Sequence, residues 1–137
     1  MLFDLQSGKR RRLVQVVYSF PGRTEQREVI YGGRIAGPVQ LAAMAAGGRS
    51  ARREDLVLAL HVEVLAPGED DTAAVEARAC ALGLVVEELV AGSPRLDGTV
   101  DGLRLIQVSN LELDSGTDDD AAMAMLTYQL TITSHIR

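Results

Sequence analysis

The strictest alternation of hydrophobic and polar positions lies at the C-terminal end of the chain. Leu126, Tyr128, Leu130, Ile132 and Ile136 share one side, while Thr127, Gln129, Thr131, Thr133 and His135 share the other. A period of two with one apolar face is the mark of a strand in a sheet covered on one side. Asp55 to Leu65 repeats it: Leu58, Leu60, Val62 and Val64 face one way, and Val57, Ala59, His61 and Glu63 the other. Leu103 to Leu113 is a third strand, and with the last one it predicts a hairpin whose long acidic tip is Asp114 to Asp120. Between residues 65 and 103 the period changes. Val75, Ala79, Leu82, Val86, Leu89 and Val90 recur at spacings of three and four, predicting a helix over about 72–91 with that stripe inward. Glu69-Asp70-Asp71-Thr72 supplies N-cap acceptors before it, and Gly92-Ser93-Pro94 stops it.

The N-terminal half is less regular. Leu13 to Phe20 is β-branched and aromatic and reads as a strand closed by Pro21-Gly22. Glu28 to Tyr31 is a second strand, punctuated by Gly32-Gly33. Ile35 to Ala46 is an irregular or edge strand, with one helical turn at Ala42 to Ala46 as the alternative, because Ala and Met favour helix. The first twelve residues read as an arm or a short amphipathic helix ending in a basic cluster. Strands, one long helix, then a hairpin define an α+β domain: an antiparallel or mixed sheet with the helix on one face. At 137 residues the chain fits a single domain, 1–137. Aromatic residues are only 4% and Trp is absent, so the core must be aliphatic.

Charge narrows the functional classes. A net charge of −5 argues against sequence-independent nucleic-acid binding, which needs a basic excess. Cys80 is the single cysteine, so no intrachain disulfide forms and a reducing compartment is expected. No apolar run reaches the roughly 20 residues of a membrane helix. Met1 to Leu5, followed by Lys9-Arg10-Arg11-Arg12, has the reverse order of a secretory signal, and synthesis in a cytoplasm is expected.

The residues offer little chemistry. His61 and His135 lie on predicted strands without partner ligands, so a zinc site is not expected and both read as solvent-facing or interface histidines. Cys80, between Ala79 and Ala81, reads as a buried, inert thiol. Gly32-Gly33-Arg34-Ile35-Ala36-Gly37 lacks both the dinucleotide fingerprint and the Lys-Ser/Thr of a phosphate loop. The acidic stretch lacks the order and closing Glu of a calcium loop. The expectation is a protein without catalytic residues, metal or cofactor. Its candidate interaction residues are Arg10, Arg11, Arg12, Arg49, Arg52 and Arg53 on the basic side. Asp114, Asp118, Asp119 and Asp120 form the acidic side, the two meeting through a heterologous contact between copies.

A pattern of elements adds a resemblance. Arg52-Arg53-Glu54-Asp55-Leu56-Val57-Leu58 opens a strand and Ala66-Pro67-Gly68-Glu69-Asp70-Asp71 closes it. Ala77-Arg78-Ala79 sits mid-helix, Ser93-Pro94-Arg95-Leu96-Asp97-Gly98 follows, and Val108, Leu111 and Glu112 precede the alternating last strand. Together with Val14-Gln15-Val16, Pro21-Gly22 and Glu28 to Gly33, this resembles the tail terminator proteins of long-tailed phages and related prophages. The resemblance covers roughly residues 13 to 137. It implies a homohexameric ring at the head–tail junction of a virion, assembled from subunits made in a bacterial host. Such a ring caps the tail tube protein, ends its polymerisation and joins it to the head-completion or connector protein. DNA passes through the lumen without sequence-specific binding, and no membrane is involved. Two other readings stand beside it: another head–tail connector or tail tube subunit, and a small-ligand-binding α+β domain of the dimeric ferredoxin-like kind.

Overall fold

The computed structural model describes residues 2–7, 10–17, 27–37, 39–44, 50–67, 71–98, 103–118 and 121–136. Seven strands make one mixed sheet: β1 (Leu2–Ser7), β2 (Arg10–Val17), β3 (Glu28–Ala36), β4 (Val39–Met44), β5 (Ser50–Pro67), β6 (Leu103–Asp118) and β7 (Ala121–Ile136). The order across the sheet is β1-β2-β3-β5-β7-β6, with β4 also paired to β5. Only β2 and β3 run parallel. One helix, α1 (Thr72–Gly92), packs across β5, β7 and β6. The α+β class, the helix and the C-terminal hairpin are those the periodicities predict.

The sheet is organised by β5 and β7, which pair without a break from Arg52–Ile136 to Pro67–Ala121. Val62 and Val64 of β5 and Ala122, Ala124, Leu126, Tyr128 and Leu130 of β7 are buried under the helix. From the helix side come Val75, Ala79, Leu82 and Val90, with Val14 of β2 and Ile106 of β6 closing the cluster. Removing each Val, Leu or Ile side chain of this cluster from water stabilises the fold by about 1.5–3 kcal/mol, and each Ala by less. Asp71 caps the helix, its carboxylate accepting from the Ala73 N–H at 3.0 Å. At the other end the Ser93 N–H donates to the Leu89 carbonyl. The chain then turns back through Leu96, Asp97 and Gly98, all at positive φ, held by the Asp97 N–H donating to Ser93 Oγ at 2.9 Å.

Several expectations are corrected. Among the described residues of the first twelve, Leu2–Ser7 is a strand rather than a short helix, paired antiparallel with Arg10–Gln15, whose edge supplies the backbone partners. Of the two readings of the Ala-rich stretch the edge strand holds: Ala42-Ala43-Met44 belongs to β4, since the edge of β5 beyond β3 supplies partners from Ser50 to Glu54. The acidic segment is not a long loop. Asp114 to Asp118 extend β6 opposite Met125 to Ala121, and the small residues Ala121, Ala122 and Ala124 lengthen β7 to meet them. Leu89, assigned to the inward stripe, is 65% exposed. The buried line runs through Val75, Ala79, Leu82, Gly83 and Val90, and Leu89 falls at its margin. Cys80 is exposed, because one residue of helix rotates the side chain by about 100° away from buried Ala79. The expected end of the first strand at Ser19-Phe20, the Pro21-Gly22 stop and the Gly47-Gly48 tip lie outside the described residues.

Gly83 sets how closely α1 approaches the sheet. A Cβ there would collide with Tyr128 Oη and Leu126 Cδ2, both belonging to side chains no more than 2% exposed. Gly83→Ala is therefore expected to destabilise the protein by about 1–3 kcal/mol through overpacking, although Ala is the better helix former by about 1 kcal/mol. Gly92, whose added Cβ would meet nothing within 4 Å, is the control. Gly92→Ala should leave the melting temperature unchanged or slightly raised in the same thermal scan.

Candidate interaction surfaces

Among the described residues, an ion pair sits at the margin of the helix–sheet junction. Glu28 begins β3, and its side chain points to the helix face of the sheet beside Val64. Arg78 lies three residues after Val75 and four before Leu82, at the edge of the buried stripe. The guanidinium meets the carboxylate through two bonds, Nε to Oε1 at 2.8 Å and Nη2 to Oε2 at 2.9 Å. The side chains are 12% and 5% exposed. This two-pronged geometry satisfies both oxygens of a carboxylate taken out of water, and it ties the helix to a strand beyond those it packs on. The sequence signal was available: a carboxylate opening the apolar run Glu28-Val29-Ile30-Tyr31, and an arginine between Ala77 and Ala79 beside the inward stripe.

On the opposite face the strands carry a polar ladder. The ring centroids of Tyr31 and His61 lie 5.0 Å apart, and His61 Nδ1 is 3.0 Å from Thr127 Oγ1. Tyr31 donates to Glu63 Oε2 at 3.5 Å, and Thr133 Oγ1 donates to Asp55 Oδ1 at 3.1 Å. Gly33 makes room for the imidazole, since a Cβ there would stand 2.6 Å from His61 Nε2. Burial, reinforced by the Glu63 carboxylate, raises the Tyr31 hydroxyl above its usual titration range. The ladder joins β3, β5 and β7 and leaves hydroxyl, imidazole and carboxylate groups half-buried for hydrogen bonding. Its His61–Thr127 contact has base–hydroxyl spacing, and among the described residues the neighbouring Glu63 carboxylate engages Tyr31 rather than the imidazole.

Among the described residues the candidate basic and acidic positions lie on separate parts of the sheet. Arg52 and Arg53 are on central β5, opposite Ile136 and His135 of β7 and Leu41 and Gln40 of β4. Asp118 pairs with Ala121 at the other end of β7, about 50 Å away along the strand. Asp114 is exposed on β6, opposite Met125. Arg10, Arg11 and Arg12 are on β2, opposite Ser7, Gln6 and Leu5 of β1. Arg49, Asp119 and Asp120 lie outside the described residues. Among those residues no three His, Cys, Asp or Glu side chains converge as metal ligands, and no helix is long and apolar enough to cross a membrane.

Apolar surface is the feature that sequence reasoning missed. Leu84, Val85 and Leu89 on α1 are 52%, 37% and 65% exposed, and Leu105, Leu111 and Leu113 on β6 are 40%, 49% and 39% exposed. A shallow groove of about 400 Å³ runs between the end of α1 and β6, from Glu87 and Val90 to Leu105 and Gln107. No protein-family model matches the sequence, and comparison with curated proteins finds no match.

Two measurements test these contacts. Glu28→Gln is expected to lower stability by about 3 kcal/mol, because it leaves a guanidinium in a mostly apolar site without its carboxylate. Replacing both partners by apolar residues, Glu28→Leu with Arg78→Met, should recover most of that loss in chemical denaturation. Tyr128 supplies the second test: burial first, then the neighbouring Glu87 and Cys80, pushes its hydroxyl up to about 12 from 10.0. A group whose pKa is raised on folding contributes stability that is complete below the unfolded value and lost as pH climbs through the folded one. Unfolding free energy should therefore fall between pH 10 and about 12, and Tyr128→Phe should flatten that slope.

Proposed function

We propose that this chain is a non-enzymatic structural subunit that works as a closed ring at the end of a phage-type tail, in the manner of a tail terminator. In that role it caps the tail tube, ends its polymerisation and joins it to the head-completion complex, with DNA passing through the lumen. The observation that carries the reading is that α1 is apolar on both sides. One side covers the sheet, and the other leaves Leu84, Val85 and Leu89 in water. Charged residues on α1 flank this outer apolar patch rather than replace it, and a contiguous apolar patch left in water marks a surface for another molecule. An assembly supplies that molecule. The resemblance in element order supplies the kind of assembly, and two different lateral surfaces fit a heterologous ring contact.

Native mass spectrometry and negative-stain electron microscopy of the purified full-length chain test the proposal. Closed rings of one size, six subunits by the resemblance, are expected. Open tubes that lengthen with concentration would instead identify a tube subunit. A monomer at all concentrations, with a melting temperature that shifts on adding small ligands, would replace the proposal with a ligand-binding domain.

A further inference from the structure

We propose that copies of this chain join edge to edge, β6 of one copy pairing in parallel with β1 of the next, so that the sheet continues from subunit to subunit. The inference rests on the ring reading and adds the identity of its lateral contact. Among the described residues β6 pairs on one side only, with β7, and β1 on one side only, with β2. The outer side of β6 is sixteen residues of extended backbone with Leu105, Leu111 and Leu113 exposed along it. An open edge of that length and hydrophobicity is a template for another strand.

Register and charge select the occupant. One row crosses the sheet through Gln15, Val29, Glu63, Met125 and Asp114, and Leu2 continues it on β1. Moving from Gln15 back to Arg12, Arg11 and Arg10 on β2 goes the same way along the sheet as moving from Asp114 forward to Asp118 on β6. This follows because β2 and β3 are parallel and the three remaining steps are antiparallel. Arg10, Arg11 and Arg12 on β2, one strand in from the β1 margin, therefore sit at the same end of the sheet as Asp118 on β6, which is the opposite margin. They are too far apart to meet within one copy. Placed side by side without inversion, two copies bring Asp114 and Asp118 of β6 next to β1, with the Arg10–Arg12 segment of β2 directly behind it. The pairing is parallel because β1 and β6 run in the same direction in each copy. The contact is heterologous, with one edge used on each side, so it repeats until the rotation between copies closes it.

The test exchanges charges between margins. One variant carries Asp114→Lys with Asp118→Lys, and a second carries Arg11→Glu with Arg12→Glu. Each alone should need at least tenfold more protein to assemble, because like charges then lie across a single intervening strand, β1, at every contact, within about one screening length of each other. Mixed one to one, the two variants should assemble together as readily as the unmodified chain, with alternating composition by native mass spectrometry. Raising salt from about 0.05 to about 0.5 M should weaken assembly of the unmodified protein, since contacts between exposed charges are screened. The salt arm stands even if a variant loses its cooperative melting. Rings that persist unchanged in both variants, or a mixture that fails to co-assemble, would overturn the edge pairing and leave the ring intact. An unmodified chain that never leaves the monomer would overturn both.

Discussion

Sixteen consecutive residue pairs between β5 and β7 are the frame on which the rest of the structure hangs. Their alternation divides the sheet into a helix face, where Val62, Val64, Leu126, Tyr128 and Leu130 meet α1, and a polar face, where His61, Glu63 and Thr127 form a ladder. A slip of one residue in this pairing would exchange the two faces and place histidine and glutamate under an apolar helix. Every other element takes its place from that pairing. β3 and β4 share the far edge of β5, β6 adds to β7, and β2 and β1 follow outward from β3.

The helix is held against this frame by shape more than by charge. Gly83 and Ala79 let the backbone come close to Tyr128 and Leu126, and the Glu28–Arg78 pair sits at the margin, tying down β3. A buried ion pair adds little net stability because desolvation opposes its attraction, but it penalises any arrangement that leaves either charge alone. Here it disfavours a helix displaced along or away from the sheet. The result is a sheet with the helix on one face. Its faces differ sharply, its two margins are unpaired among the described residues, and its charge is distributed unevenly from one margin to the other.

Such an arrangement suits assembly. Apolar groups on the outer side of α1 and along β6 remain exposed although the sequence has ample aliphatic residues to build a core. Among the described residues, apolar surface that the single sheet-and-helix layer does not hide stays in water, and the contact between copies proposed above would cover the part along β6.

The sequence by itself determined the α+β class, the extent of α1, its Asp71 cap and the two faces of β5 and β7, because periodicity and capping are local properties written in neighbouring residues. Arg78 and Glu28 were visible as charges next to apolar runs, but their pairing was not, since 50 residues separate them. The first strand escaped because a six-residue alternating segment becomes a strand only when a partner edge is present. The reach of the acidic segment into β6 escaped for the same reason: Asp and Gly disfavour strands, and only the ladder to β7 overrides that preference. Leu89 and Cys80 show the limit on the helix, where spacing identifies a stripe but only the sheet beneath decides its centre. Above all, tertiary structure decided where the charges stand. Composition revealed basic and acidic segments, whereas strand order and register, which depend on long-range pairing, put Arg52 and Arg53 on central β5, Arg10 to Arg12 one strand in from one margin, and Asp114 and Asp118 on the other margin.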